Sequence, residues 1–179
     1  LITLPAGYEW IDSNWAIGRA GGMLFHLPKD LQYFKRMTLG KTLVMGRATL
    51  DSLPGGRPLP GRSSIVLTRD RGFCRQGAQA AHSLNELSDL IDSLPPEQVM
   101  LIGGGQLYHA LIDCCHTAYV TRVEASAPAA DTWFPRLDER PGWALEDRAP
   151  IQEDKGLRHQ VYIYRNRIIR PLGEISEKL

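Results

Sequence analysis

Pro28-Lys29-Asp30-Leu31-Gln32-Tyr33-Phe34-Lys35-Arg36-Met37 and, one short turn later, Thr42-Leu43-Val44-Met45-Gly46 make a helix-then-strand unit from which the architecture of the whole chain follows. Proline suits the first turn of a helix because its missing N–H has no intrahelical partner there. Leu27, Leu31, Phe34 and Met37 then recur at helical spacing and form one apolar stripe. The run Thr42 to Met45 is apolar at nearly every position, the mark of a strand covered on both faces. The same alternation continues outward. Ser64 to Thr68, Val99 to Ile102, Ala118 to Val123 and Gln160 to Tyr164 read as further strands. Ser83-Leu84-Asn85-Glu86 is a capping box opening a helix to about Ser93, ahead of Pro95-Pro96, and Gln106 to Ile112 is a short helix after three glycines. Strands alternating with helices predict an α/β, doubly wound, mostly parallel central sheet. After Ala125 there are strands but no helix of note, so the C-terminal edge is expected to be antiparallel. Residues 1–179 read as a single domain, with 166–179 a C-terminal tail that has no obvious place in the sheet.

The chain has 179 residues, enough for one domain with a substantial core. With 21 basic and 20 acidic side chains its formal net charge is +1, so no global field draws it to nucleic acid or to an anionic membrane. No apolar run approaches the ~20 residues of a bilayer span. Leu1 to Gly7 lacks the basic and apolar regions of a secretory signal. Cys74, Cys114 and Cys115 have no metal-ligand spacing, and the adjacent pair is ill placed for a disulfide. A cytoplasmic monomer acting on small molecules, without metal, is the expectation.

Asp30 is the most informative residue. On a helix from Pro28 it shares the face of Leu27, Leu31, Phe34 and Met37. One reading is an acid placed in the first turn by the helix dipole. The other is a buried carboxylate facing a ligand, since burying a lone charge is costly unless it is paired. Such a group accepts two parallel N–H bonds and suits the amidine-like edge of a pterin or diaminopyrimidine. Two strand-to-helix junctions, Met45-Gly46-Arg47-Ala48-Thr49 and Ile102-Gly103-Gly104-Gly105-Gln106, have the makings of anion sites. Neither is a G-x-G-x-x-G fingerprint, and tight turns use glycine too.

Taken in order, Asn14-Trp15-Ala16-Ile17-Gly18, Leu24 to Leu31, Phe34-Lys35, Val44 to Thr49, Ser52-Leu53-Pro54 and Arg57 to Arg62 resemble the dihydrofolate reductase family. So do Ile65 to Thr68, Ile102 to Gly105 with Tyr108, Tyr119-Val120-Thr121 and Asp131 to Pro135, and the likeness covers about residues 11 to 165. The resemblance implies a dihydrofolate reductase-like fold and an NADPH-dependent oxidoreductase of one-carbon metabolism, a target of antifolates that forms tetrahydrofolate from dihydrofolate. It implies that Asp30, with Thr121 bonded to it, binds the pterin edge and promotes protonation of N5. Leu31, Phe34 and Leu59 would pack on the substrate rings, and Arg62 would grip the glutamate carboxylate. Gly46, Arg47, Thr49, Thr68, Arg69, Gly103, Gly104, Gly105, Gln106 and Tyr108 would hold the cofactor, while Ile17, Gly18 and Met23 belong to a mobile loop over the nicotinamide.

The first strand departs from the family. Trp10 stands where a small residue lines the nicotinamide and pterin, and Glu9 where an apolar side chain belongs. A local shift of the strand, a remodelled site, or an N-terminus that is not a native reductase strand would each account for it. Two rival readings accompany the main one. A reductase of the riboflavin pathway lacks the Leu-Pro-x-Asp-Leu helix start. An inactive folate- or nucleotide-binding homologue would have Trp10 filling the nicotinamide slot.

Overall fold

The computed structural model describes the backbone of residues 4–175 and the side chains of residues 10–175. The first half of the chain forms β1 (Leu4–Ile11), β2 (Ala16–Arg19), β3 (Gly22–Met23), α1 (Pro28–Thr38), β4 (Thr42–Gly46), α2 (Arg47–Ser52), β5 (Ser63–Leu67) and β6 (Ala78–Ala81). The second half forms α3 (Leu84–Ile91), β7 (Val99–Leu101), α4 (Gly105–Leu111), β8 (Cys115–Val123), β9 (Thr132–Trp133), β10 (Trp143–Arg148), β11 (Gln152–Asp154) and β12 (Leu157–Asn166). The main sheet runs β10-β12-β8-β1-β7-β4-β5-β6, with β11 paired to β12, and β3-β2-β9 forms a small second sheet. From β8 through β6 every neighbouring pair is parallel, whereas β12 is antiparallel to β8, β10 and β11. The expected α/β, mostly parallel sheet with an antiparallel C-terminal edge is therefore what forms.

The apolar runs owe their continuity to two cores, one on each face. Leu43, Met45, Val66 and Met100 belong to the core on which α1 and α2 pack, with Leu31, Phe34, Met37 and Leu50. Val44, Ile65, Val99 and Leu101 belong to the opposite core, shared with Leu87 of α3 and Leu107 of α4. Neighbouring residues on a strand point to opposite faces, so both must be apolar. Ser83 caps α3 as its sequence predicts, its hydroxyl accepting from Glu86 N at 3.0 Å; the Glu86 carboxylate reaches back to His82 N at 2.7 Å rather than to the cap itself. The helix stops at Ile91, two residues short of Ser93.

The segment after β12, expected to be a tail with no place in the sheet, adds no strand among its described residues; Leu172 is nonetheless buried in the core that α3 shares, Ile175 packs against it, and Arg170 N donates to Asp113 O at 2.9 Å. Its last residues, 176–179, lie outside the described residues. At the other end β1 keeps one register along β8, from Leu4 opposite Cys115 to Ile11 opposite Arg122. The register with β8 is unbroken through positions 9 and 10. The Glu9 side chain lies outside the described residues.

Candidate active site

In an open sheet of this kind, the crevice beyond the carboxyl ends of the strands is where ligands bind. Here that crevice is a cavity of about 1140 Å³, walled by the loops after β4 and β7, by α1 and by the β2–β3 loop.

α1 and the two central strands build one end. Asp30 is only 2 % exposed although it sits in the first turn of a surface helix. Its Oδ1 accepts from Thr121 Oγ1 at 2.9 Å, and Thr121 is itself fully buried on β8. Its Oδ2 accepts from the indole Nε1–H of Trp10. Trp10 and Thr121 are direct register partners on parallel strands, so their side chains rise on the same face and meet the acid together. Trp10, 4 % exposed, belongs to the cavity wall, one hydrogen bond in front of Asp30. Nearby Tyr33 has its phenol pKa raised by burial first, then by Tyr119 and Asp30.

Leu31, Phe34, Leu59 and Arg62 line the same end, joined by Lys35. Arg62 is held in place, donating through Nη1 to Thr38 Oγ1 at 3.1 Å and through Nε to Pro60 O at 3.1 Å. Partial burial lowers its pKa from the usual guanidinium value, and a guanidinium in a protein keeps its charge.

The glycine junctions build the other end. Gly46 N donates to Gly103 O at 2.9 Å, tying the two loops together, and the Gly103–Gly104 peptide is cis. Gly103 has φ +120°, which side chains rarely adopt, and a Cβ at Gly104 would stand 3.2 Å from Thr49 Oγ1. α2 and α4 start from these loops, and neither cap residue, Gly46 or Gly104, has a side-chain acceptor for the first-turn N–H groups. Gly46, Arg47, Thr49, Thr68, Arg69, Gly104, Gly105 and Gln106 all reach the cavity wall. The flat glycine surface, uncapped N–H groups and cations fit the pyrophosphate and phosphate of a dinucleotide.

Tyr108 does not reach the wall. It is fully buried beneath Gly103 and packs on Phe134 with ring centroids 4.7 Å apart. Ile17, Gly18 and Met23 border the third side. Gly18 pairs with Thr132 of β9, its carbonyl accepts from Asp131 N at 3.0 Å, and Ala20 N donates to the Asp131 carboxylate at 2.7 Å.

Sequence reasoning singled out Trp10 as a misfit without foreseeing its bond to Asp30. It also missed Asp70, which pairs with Arg47 at 3.3 Å beside the nucleotide end, and His82 and Ser83, which line that end. The capping signal at Ser83 located a helix start, but a capping signal carries no information about what the helix start faces. Among the described residues no cluster of three or more His, Cys, Asp or Glu is placed to hold a metal, and no helix is long and apolar enough to cross a membrane.

The family profile described as dihydrofolate reductase matches residues 10–167. A dihydrofolate reductase of Mycobacterium tuberculosis is 39 % identical over 162 residues, covering 88 % of this chain and 96 % of the relative. One from Neisseria meningitidis serogroup B is 36 % identical over 152 residues, covering 84 % and 91 %. The type 3 enzyme of Salmonella typhimurium is 41 % identical over 135 residues, covering 75 % and 78 %. Among solved structures, dihydrofolate reductase from Enterococcus faecalis complexed with NADP(H) and RAB-propyl superimposes with a TM-score of 0.80 at 33 % identity, covering 91 % of this chain and 96 % of that one.

Proposed function

The chain belongs to the dihydrofolate reductase family, and from that premise we propose that it reduces 7,8-dihydrofolate to 5,6,7,8-tetrahydrofolate with NADPH, by hydride transfer to pterin C6 and protonation of N5. The observation that carries this reading is a buried carboxylate, Asp30, held by Thr121 and lying directly behind Trp10 of the wall of a long, largely apolar cleft whose far end is a glycine cradle flanked by arginines. On this reading residues 1–179 work as one reductase unit.

The Gly46 and Gly103–Gly105 loops, with Arg47, Thr68 and Arg69 toward the phosphates, would hold NADPH, which would supply the hydride. Asp30 accepts the two N–H groups of the pterin edge, and its carboxylate stabilises the positive character that builds on the ring as N5 gains its proton. Thr121 fixes the carboxylate's orientation by donating to Oδ1. Leu31, Phe34 and Leu59 hold the rings by dispersion and by excluding water, and Arg62 takes the glutamate carboxylate as a bidentate partner. The Ile17–Met23 segment, anchored through Gly18 and Ala20 to Asp131 and Thr132, closes the cleft against solvent. Orientation of the two reactants is the protein's main contribution to rate.

The direct test follows the loss of reduced-nicotinamide absorbance with dihydrofolate, for the wild-type protein and Asp30→Asn. Turnover by the wild type, with most of it lost near neutral pH in the variant while NADPH still binds, is the expected result. Equal loss of turnover and NADPH binding would remove Asp30 from its role. Tight NADPH binding with no turnover in either protein would identify an inactive homologue instead.

A further inference from the structure

We infer that Trp10 sets the affinity of the pterin end by covering Asp30: a ligand with an amino-amidine edge has to displace the indole N–H from Oδ2. The inference rests on Asp30 being the group that takes the pterin.

Recognition of an amidine edge by a carboxylate is bidentate, with one N–H on each oxygen. In this chain both oxygens already have donors from the protein, Thr121 Oγ1–H on Oδ1 and Trp10 Nε1–H on Oδ2. The two donors are not equivalent. Thr121 is fully buried and points at Asp30 from within the sheet, behind any ligand. Trp10 forms part of the cavity wall, on the side from which a ligand arrives. Its backbone is fixed by pairing with β8, so the ring can leave only by rotating its side chain. Ligand binding is thus an exchange of donors at Oδ2. A hydrogen bond to a charged acceptor is worth enough that its loss weakens ligand affinity by roughly ten- to a hundredfold. A small residue at position 10 imposes no such exchange.

The test uses the full-length protein, with 2,4-diamino-5-benzylpyrimidine as probe and calorimetry for its Kd, alongside the KM for dihydrofolate. Trp10→Phe keeps an aromatic ring and removes the N–H; Trp10→Ala removes both. We expect Trp10→Phe to tighten probe binding about tenfold and to lower the KM, and Trp10→Ala to tighten it at least as much. In an Asp30→Asn background, Trp10→Phe should change the Kd by less than about threefold, since the charged two-oxygen acceptor for which indole and ligand compete is gone. A purely structural tryptophan would not show this dependence on Asp30. In the wild type, the Trp10 indole N–H resonance, assigned as the one missing from Trp10→Phe, should move on adding probe.

If Trp10→Ala does not fold, Trp10→Phe and the indole resonance still decide. Wild-type turnover that depends on Asp30, with probe affinity and KM unmoved by Trp10→Phe and the resonance unmoved by probe, would overturn the inference and leave the functional reading standing. Absence of dihydrofolate turnover and of probe binding in every variant would overturn both.

Discussion

Gly105 opens α4 at the cofactor end, and the structure sets a size limit there. A Cβ built on it would lie 2.6 Å from Thr132 Cγ2, with the next atoms, Trp133 O at 3.7 Å and Ile17 Cδ1 at 3.9 Å, at ordinary contact. Carbon pairs are comfortable at about 3.5–4.0 Å, so a single methyl carries an overlap of about 1 Å. Thr132 cannot turn aside easily, because it is β-branched and its Oγ1 is bonded to Asp131 Oδ1 at 2.8 Å. Gly105→Ala should therefore lose about 1–3 kcal/mol to overpacking, offset by about 0.4–1 kcal/mol gained because alanine restricts the unfolded chain. A net loss of about 1–2 kcal/mol in urea unfolding is the expectation. The relief is as specific as the clash. Thr132→Ser deletes Cγ2 and keeps the hydroxyl, so Gly105→Ala made on top of it should cost nothing. The double-mutant cycle should give a coupling of about 1–2 kcal/mol. Because Thr132 pairs with Gly18, the single variant should also raise the KM for NADPH, and the double variant should restore it. Additive effects within about 0.5 kcal/mol would refute the steric argument, as would a Gly105→Ala protein at least as stable as the parent.

Asp70→Asn releases Arg47 from a half-exposed ion pair and removes a negative charge from the nucleotide end. The KM for NADPH should fall by up to about fivefold at low salt, with the gain fading as ionic strength rises; steady-state kinetics at two salt concentrations checks it. Replacing Arg47 and Arg69 together with neutral residues should raise the KM for NADPH selectively over NADH, and an unchanged preference would remove them from the phosphate site. Asp113 receives Arg140 through two bonds of 2.6 and 2.7 Å, and these, ahead of the opposing effect of burial, hold its carboxyl below the usual range. A depressed folded pKa means that the stabilisation is complete above the unfolded pKa of about 3.9 and is lost as pH falls through the folded value, so Asp113→Asn should flatten the decline in urea midpoint between about pH 5 and pH 3. Buried Asp12 accepts from Asn14 N and Ala16 N on Oδ1 and from Ala127 N on Oδ2; Asp12→Asn would leave a backbone N–H facing an amide NH₂, an expected loss of about 1–3 kcal/mol in urea unfolding.

What was legible in the sequence was whatever a single element reveals about its own faces. Leu43, Val44 and Met45 announce a strand with a core on each side because both faces need apolar residues, and Asp30 is conspicuous because its neighbours on the helix are apolar. The parallel order and the antiparallel edge followed from the spacing of such elements. β6 was not legible: Ala78-Gln79-Ala80-Ala81 has little intrinsic strand preference and exists as a strand because β5 offers it a partner. Leu172 looked like part of a tail because nothing within residues 166–179 repeats with a period; its burial depends on α3, some eighty positions earlier. Asp70 beside Arg47 and the deep burial of Tyr108 beneath Gly103 are likewise matters of partner rather than of face. Periodicity tells which side of an element is covered and not by what.

That distinction explains why position 10 could be recognised as foreign to the family pattern without its consequence being readable. Asp30 tolerates burial because donors reach it, and the sheet provides two of them from adjacent parallel strands at the same register level. The Trp10 N–H thereby enters two balances with opposite signs. With no ligand it satisfies a buried oxygen, so removing it in Trp10→Phe should lower folding stability by about 1–2 kcal/mol. With a ligand present it is a competitor, so the same removal should strengthen binding, and the ligand should stabilise the variant more than the wild type. A merely bulky residue at that position would move stability and affinity without this inverse relation. A single N–H that supports the carboxylate when the cleft is free and yields it when the cleft fills reconciles a tryptophan at this position with a working site. On that argument the departure in the first strand is an adjustment of affinity, and Asp30 keeps its chemistry.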